Sequence, residues 1–197
     1  MDPIHSKLIL QHVGDKIELS TAERNFFISL LEEKSFAQKT KILRPGEHCK
    51  NQYFIVKGCL KIFYLDPEGF EYIAKFAIEN RWAFDIRSFF ENSPAYCGIA
   101  CLEPTIVLQL SFDNYQKLLD RISSFEKFYR LMLQQSFIAL QYRMIENLSL
   151  QAEERYLQFQ RKYPGLETRI SQKDIASYLG ITPVFLSMIR KRELLKH

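Results

Sequence analysis

The sequence predicts an α+β protein with an N-terminal β-roll, a long central helix and a C-terminal pair of short helices joined by a tight turn. Three observations predict this class. Residues 36–112 hold short β-rich runs separated by Pro and Gly turns. Residues 112–163 contain neither Pro nor Gly, which favours a long helical segment. The final 45 residues resume short helical patterns around Pro164-Gly165 and Gly180.

The composition is typical of a soluble globular protein. Of the 197 residues, 47% are hydrophobic and 25% are charged, and sixteen Phe and ten Tyr can fill a sizeable core. A run of about 18 apolar residues, which a membrane span requires, is absent from the sequence. The first residues lack the basic and apolar segments of a secretory signal, so we expect a cytoplasmic protein without a membrane partner.

Helices are expected to precede the β-roll. Residues 5–35 have a helical apolar pattern that begins at Leu8, Ile9 and Val13. Ser20, with Glu23 three residues later, has the pattern of a capping box at the start of a second helix.

The β-rich part contains four clear candidate strands, at residues 53–56, 60–64, 72–76 and 105–110. Residues 66–69, with the sequence DPEG, predict a hairpin turn between the second and third of them. Short strands with turn signals at intervals of about 8–12 residues are typical of a β-sandwich or β-roll. We assign residues 1–115 to this domain and to the helices before it.

The central helix is expected to span residues 116–150 and to mediate dimerisation. Leu131, Ile138 and Ile145 recur at a spacing of seven, which suits a helix packed along a partner helix. The alternative is a helix packed only on its own domain. The residues that we assign to a homodimer interface are Phe128, Leu131, Gln135, Ile138, Tyr142 and Ile145.

The positive charge of the chain is concentrated in residues 151–197, the third domain. From Glu153 onward there are nine Lys or Arg against five Asp or Glu, which accounts for the whole net charge of +4. A local basic excess is the pattern expected for a polyanionic partner, although a solvated basic face gives the same pattern.

Residues 171–191 have the pattern of a helix-turn-helix. Ser171 can cap the first helix, Gly180 can end it in the left-handed conformation, and Thr182 followed by Pro183 can start the second. Ala176 is small enough for the two helices to cross closely. An ordinary helical hairpin is the alternative, but a helix-turn-helix in the basic region of the chain favours binding of double-stranded DNA.

The predicted second helix would enter the major groove, with a basic end on the phosphates. Arg190, Lys191, Arg192 and Lys196 supply that end. Residues 166–170 predict a short β-wing, with a plain loop as the alternative. The expected DNA contacts are Arg169, Ser171, Gln172, Lys173, Thr182, Pro183, Val184, Phe185, Ser187, Met188, Arg190, Lys191 and Arg192.

With these motifs in view, the sequence resembles the Crp/Fnr family of bacterial transcription regulators over nearly its whole length. The resemblance rests on residues 44–47, 54–58, 108–111, 152–156 and 175–183. It implies a cyclic-nucleotide-binding-like β-roll, a dimerisation helix and a winged helix-turn-helix. It also implies a homodimer that reads a palindromic operator, with RNA polymerase as an expected partner.

The sequence departs from the family where cyclic-AMP-binding members hold their ligand. Phe84-Asp85 occupies the position of a Gly-Glu pair, and Ala95-Tyr96 that of the Arg-Ser pair that holds the cyclic phosphate. A buried phosphate needs a bidentate cation or several N–H donors. We therefore expect cyclic AMP to bind weakly or not at all, and either a different small effector at these four residues or none. Asp85 can contact a ligand hydroxyl or cap the helix that follows.

The sequence carries no signal for a metal site, a redox cofactor or an enzyme. Cys49, Cys59, Cys97 and Cys101 lack the close spacing of cluster ligands, and the four His are scattered. Common catalytic motifs are absent.

The recognition face also departs from the family. Val184 and Met188 stand where many members have an acid and an arginine, so apolar contacts with thymine methyl groups are expected. The hypotheses that follow are an effector-controlled regulator, an effector-independent regulator with a vestigial sensor, and a winged-helix module that binds protein.

Overall fold

The computed structural model describes residues 1–194. The N-terminal part contains helices α1 (Pro3–Gly14) and α2 (Thr21–Ser29), and then strands β1 (Glu32–Phe36), β2 (Lys41–Leu43), β3 (Asn51–Lys57), β4 (Leu60–Leu65), β5 (Glu71–Ala77) and β6 (Trp82–Ala83). Helix α3 (Ile86–Glu91) precedes β7 (Cys97–Cys101) and β8 (Thr105–Ser111). The remaining helices are α4 (Phe112–Arg121), α5 (Ser124–Ser149), α6 (Ala152–Lys162), α7 (Gln172–Leu179) and α8 (Pro183–Leu194).

The strands form a sandwich of two antiparallel four-stranded sheets. The order is β1-β8-β3-β6 in the first sheet and β2-β7-β4-β5 in the second. The predicted turn at residues 66–69 joins β4 to β5, and the Asp66 carboxylate accepts hydrogen bonds from the backbone N–H groups of Glu68 and Phe70. All four candidate strands lie in this sandwich, so the predicted β-roll is confirmed.

The N-terminal segment is helical for less of its length than predicted. Ser20 caps α2, and Glu23 returns the bond to the Ser20 N–H, as a capping box requires. The prediction of helix through residue 35 was wrong, because Glu32–Phe36 pairs with β8 as strand β1. Its residues have good helix propensity, but pairing along a whole strand outweighs that weak local preference.

The long central helix begins later than predicted. Residues 112–150 form two helices, because Ile122 is buried and leaves the helical conformation at the end of α4. The predicted boundary at residue 116 therefore falls inside α4, and the continuous helix is α5, with 26 residues. Within residues 1–194, no helix is both long and apolar enough to cross a membrane.

The described part of the C-terminal unit contains helices and turns but no strand. The prediction of a β-wing at residues 166–170 was wrong, because Leu166–Thr168 forms a single 3-10 turn between α6 and α7. Leu166 is buried in that turn, which anchors it to the helices instead of leaving a strand pair exposed. The predicted contact Lys196 lies outside the described residues.

His12 is a partly buried base beside the N-terminal core. Its ring lies between Phe54 and Phe128, with centroid distances of 5.1 and 5.9 Å. Burial lowers the pKa of His12 to about 4, and the nearby charges of Lys16 and Arg81 add to the effect. The folded protein therefore holds His12 neutral at pH values at which an unfolded histidine is protonated.

We expect this burial to make stability depend on pH. Because the folded-state pKa is below the unfolded value of about 6.5, stability is full above pH 6.5 and falls as the pH drops towards about 4. Between pH 7 and pH 5 the His12 contribution should fall by about 1–2 kcal/mol. Urea unfolding of wild type and His12→Leu at both pH values measures it. An equal pH dependence in the two proteins would contradict the assignment.

Candidate nucleic-acid interface

The two helices of the predicted helix-turn-helix are α7 and α8, and local side chains set their ends. The Ser171 hydroxyl accepts a hydrogen bond from the Asp174 N–H at 3.1 Å and so caps α7. Gly180 ends α7 with φ of +67°, and the Ile181 N–H bonds the Ala176 carbonyl at 3.0 Å. Thr182 then caps α8 by accepting from the Phe185 N–H.

The inward side chains of the motif form one core. Ala176 is fully buried between the helices. The apolar side chains of Ile175, Leu179, Leu186 and Ile189 are also buried, and Ile181 is partly buried against them. Because these contacts fix the angle between α7 and α8, the outer face of α8 is presented on a rigid support.

That outer face is exposed and mainly apolar. Val184 is 72% exposed and Met188 is 46% exposed. Pro183, Ser187 and Lys191 are exposed beside them. All five are among the DNA contacts that the sequence predicts. Phe185, also predicted to contact DNA, is partly buried and packs against the core, so it supports α8 more than it extends from it.

Basic and polar side chains flank the exposed face. Lys191 and Arg192 are exposed at the end of α8, and Arg192 pairs with Glu153 at 3.1 Å. Arg190 is partly buried. At the start of α7, Ser171, Gln172 and Lys173 are exposed. Here the N-terminal N–H groups of a helix favour an anion such as a backbone phosphate.

Arg169 is already paired within the chain. Its guanidinium donates to both oxygens of Glu79, at 3.2 and 2.7 Å, and also to Glu103. Both acids belong to the β-roll domain. The two carboxylates raise the pKa of Arg169 above its already high value. The sequence predicted a DNA contact for this arginine but gave no sign of these partners.

Three of the four residues at the expected effector position are buried, and two of them are hydrogen-bonded to other residues of the domain. Asp85 caps α3, because its carboxylate accepts from the Ser88 N–H at 2.9 Å and the Cys97 N–H at 3.1 Å. Of the two roles considered for Asp85, the structure therefore shows the helix cap. Phe84 is also buried and packs on Phe89.

The polar groups at the expected phosphate position are engaged within the chain. The N–H and carbonyl of Ala95 bond to Glu47 and Gly46, both at 2.8 Å. Arg87 is the one Lys or Arg between residues 82 and 116. It pairs with Glu91 at 3.0 Å and stacks on the exposed ring of Tyr96. The groups that would hold a phosphate are replaced or already bonded.

The predicted dimerisation residues all lie on α5, but they differ in burial along its length. Phe128 was wrongly included, because it is fully buried in the core of its own β-roll beside His12. Leu131 is partly buried, whereas Gln135 is exposed. Ile138, Tyr142 and Ile145 are at least half exposed. The second half of α5 thus extends past the β-roll with an uncovered apolar surface.

Sequence reasoning missed the surface on which the helix-turn-helix rests. The outer face of the second sheet contributes Phe63, Ile73 and Phe76 to a core shared with α6 and α7. Phe76 packs against Phe159, Tyr163 and Tyr178, with ring centroids 5.1–6.1 Å apart. The sequence contains little sign of this, because Lys61 interrupts β4, and Glu71 and Lys75 interrupt β5, so neither strand has the continuous apolar run of a strand buried on both faces.

Two arginines that the sequence analysis did not single out hold this arrangement. Arg143 of α5 donates to the carbonyls of Ile73 and Tyr178, at 3.1 and 2.9 Å, and stacks on the Tyr178 ring. Arg155 of α6 donates to the Leu150 and Leu179 carbonyls. These hydrogen bonds join the end of α5 and the start of α6 to α7.

This arrangement of a β-roll, a long helix and a terminal helix-turn-helix occurs in known proteins. Residues 33–122 match the family model of the cyclic nucleotide-binding domain. FixK2 from Bradyrhizobium japonicum has a similar structure, with a TM-score of 0.74 over 84% of this chain and 85% of its own, at 17% identity. The chain has the Crp/Fnr fold.

Two further structures share the Crp/Fnr fold with it. A protein of Eubacterium rectale, assigned to the Crp/Fnr transcriptional regulators, has a TM-score of 0.72 and 14% identity, covering 90% of this chain and 85% of its own. The c-di-GMP-responsive regulator CLP of Xanthomonas campestris has a TM-score of 0.69 and 12% identity, covering 90% and 93%. No curated protein sequence matches this chain.

Proposed function

We propose that this protein is a sequence-specific DNA-binding transcription regulator that acts as a homodimer on a palindromic operator. The observation that carries the proposal is the outer face of α8. The helix is short, its inner side is fixed by Ala176 and Leu186, and its outer side is exposed with cations at its end. A helix presented in this way fits the major groove of DNA.

Recognition of bases would fall to the apolar residues of that face. Val184 and Met188 can contact thymine methyl groups but cannot bond to the edge of guanine or cytosine, and Ser187 can donate to a base or phosphate. We therefore propose an operator that is richer in A·T pairs, with part of its specificity from DNA shape. Ser171, Gln172, Lys173, Lys191 and Arg192 would contact the backbone.

Dimerisation would place two such helices on one face of the duplex. The exposed apolar half of α5 supports this proposal, because a contiguous exposed apolar surface on a single chain often marks an interface with a partner. Ile138, Tyr142 and Ile145 would form the seam with the same residues of a second copy. RNA polymerase would be a partner of the DNA-bound dimer.

Selection from a random pool of duplex DNA tests the proposal. The purified protein should retain a palindromic sequence at about 0.15 M salt, and cyclic AMP should change neither the yield nor the sequence. A TGTGA-like half-site would contradict the proposed apolar readout. Failure to retain any DNA, with retention of a protein partner instead, would favour the alternative of a protein-binding module.

Two single substitutions separate contacts with the backbone from contacts with bases. Lys191→Ala should weaken binding to all sequences and reduce the salt dependence, with a log–log slope lower by about one. Val184→Ala should leave the salt slope unchanged and relax the preference at one or two base pairs. Titrations of both variants on the selected operator and on a scrambled duplex measure the difference. The reverse result would contradict the orientation of α8.

A further inference from the structure

The reader unit, defined here as α6 to α8, is docked on the β-roll through α7. Ser177 of α7 bonds to the edge strand β5, accepting from the Ile73 N–H at 3.1 Å and donating to the Glu71 carbonyl at 2.6 Å. It thereby satisfies edge groups that β5 leaves unpaired. The docked position thus depends on specific hydrogen bonds as well as apolar packing.

Two ion-pair clusters hold the N-terminal end of α7. Lys61 of β4 lies 3.1 Å from Asp174 and 2.5 Å from Glu71, and the Lys61 and Asp174 side chains are only 14% and 16% exposed. Arg169, two residues before the Ser171 cap, is bound by Glu79 and Glu103. Every partner of Asp174 and Arg169 across this contact belongs to the β-roll.

The chemistry of the second cluster resembles that of a phosphate contact. Arg169 donates two parallel N–H groups to the two oxygens of Glu79, the fork geometry in which a guanidinium also binds phosphate. One guanidinium cannot hold both carboxylates and a DNA phosphate in this way. The acids hold Arg169, two residues before the Ser171 cap, and so hold the segment that leads into the N-terminus of α7, a natural place for that phosphate.

We propose that Glu79 and Glu103 act as an internal substitute for DNA phosphate and hold the reader unit in a docked state that competes with DNA. This inference rests on the proposed function. DNA binding releases Arg169 from the two acids, and by linkage loss of the acids strengthens DNA binding. A signal that loosens the second sheet near Glu79 or Glu103 therefore activates the reader unit. We name the two acids and Arg169 the latch.

The test removes the latch acids but keeps Arg169. Glu79→Gln/Glu103→Gln keeps side-chain acceptors, including the one that receives the Gly58 N–H, but loses both charges. The control is Glu18→Gln/Glu68→Gln, which changes the net charge equally at two exposed acids outside the latch. Circular dichroism and thermal unfolding confirm that both variants are folded.

Two measurements are made on full-length protein. The first is hydrogen–deuterium exchange at the Ile73 amide, which donates to Ser177 only in the docked state. The second is affinity for a mixed-sequence DNA duplex at about 0.15 M salt. The latch variant should exchange faster at Ile73 and bind DNA about five- to tenfold more tightly than the control. Adding the duplex to wild type should also speed exchange at Ile73.

Each other result contradicts a defined part of the proposal. Unchanged exchange in the latch variant would show that the acids do not hold the reader unit. Faster exchange with unchanged or weaker DNA affinity would show that docking does not compete with DNA. If wild type, control and latch variant all fail to bind DNA, the proposed function and the competition both fail, while exchange at Ile73 still reports whether the latch holds.

Discussion

Replacement of both Ile138 and Ile145 by Glu is expected to make the protein monomeric and to weaken its binding to a palindromic operator by about 100-fold or more. The two side chains are 50% and 54% exposed, and they lie seven residues apart on one face of α5. Two carboxylates on each helix would be desolvated and would repel each other across the proposed seam. Each monomer would then hold only one half-site.

The substitutions should leave the fold of each chain intact, because neither side chain contributes to the core of its own domain. Sedimentation equilibrium measures the association state, and titration of the selected duplex measures the affinity. Ile4→Glu/Ile86→Glu is the matched control, since it adds the same charge at two exposed isoleucines outside α5. A variant that stays dimeric would place the interface elsewhere on the chain.

The division of α5 shows what a seven-residue repeat can and cannot predict. Phe128 and Ile138 are both part of the apolar stripe, yet Phe128 is fully buried in its own domain and Ile138 is half exposed. The pattern defines which face of a helix is apolar, but not where the covering sheet ends. That limit depends on β3 and α1, whose chain positions are far from α5.

The helix-turn-helix was predictable because its determinants are local. Ser171, Gly180 and Thr182 act on N–H and carbonyl groups within five residues of themselves, so a short stretch of sequence contains the whole cause. The two roles of Asp85 could not be separated in this way. Its second hydrogen bond, from the Cys97 N–H, comes from a strand twelve residues away.

The elements that sequence analysis missed are those set by distant partners. Strand β1 exists because β8 pairs with it across more than seventy residues of chain. The pairing of Arg169 with Glu79 and Glu103 likewise joins the reader unit to the β-roll. Neither pairing leaves a periodic signal in the sequence, because partners in distant segments have no required spacing along the chain.

Gly58→Ala is expected to destabilise the protein by about 3 kcal/mol or more, because the turn between β3 and β4 has no space for a side chain. Gly58 has a φ of +106°, a conformation that residues with a side chain rarely adopt. A Cβ atom there would lie 2.5 Å from the Thr105 hydroxyl and 2.8 Å from the backbone of Pro104 and Thr105. Thr105 is itself buried at the start of β8, so the backbone must move to relieve the contact.

Gly69→Ala is the control that separates strain from crowding. Gly69 also has a positive φ, of +86°, but no atom lies within 4 Å of a Cβ built there. Gly69→Ala should therefore lower the free energy of unfolding by only about 1 kcal/mol, the cost of the backbone conformation alone. Urea unfolding of the two variants measures the difference. Equal losses would show that the β8 backbone yields freely at Thr105. Gly58→Ala should also disturb the latch. The Gly58 N–H donates to Glu79 at 2.9 Å, so a shift of this turn moves that acid.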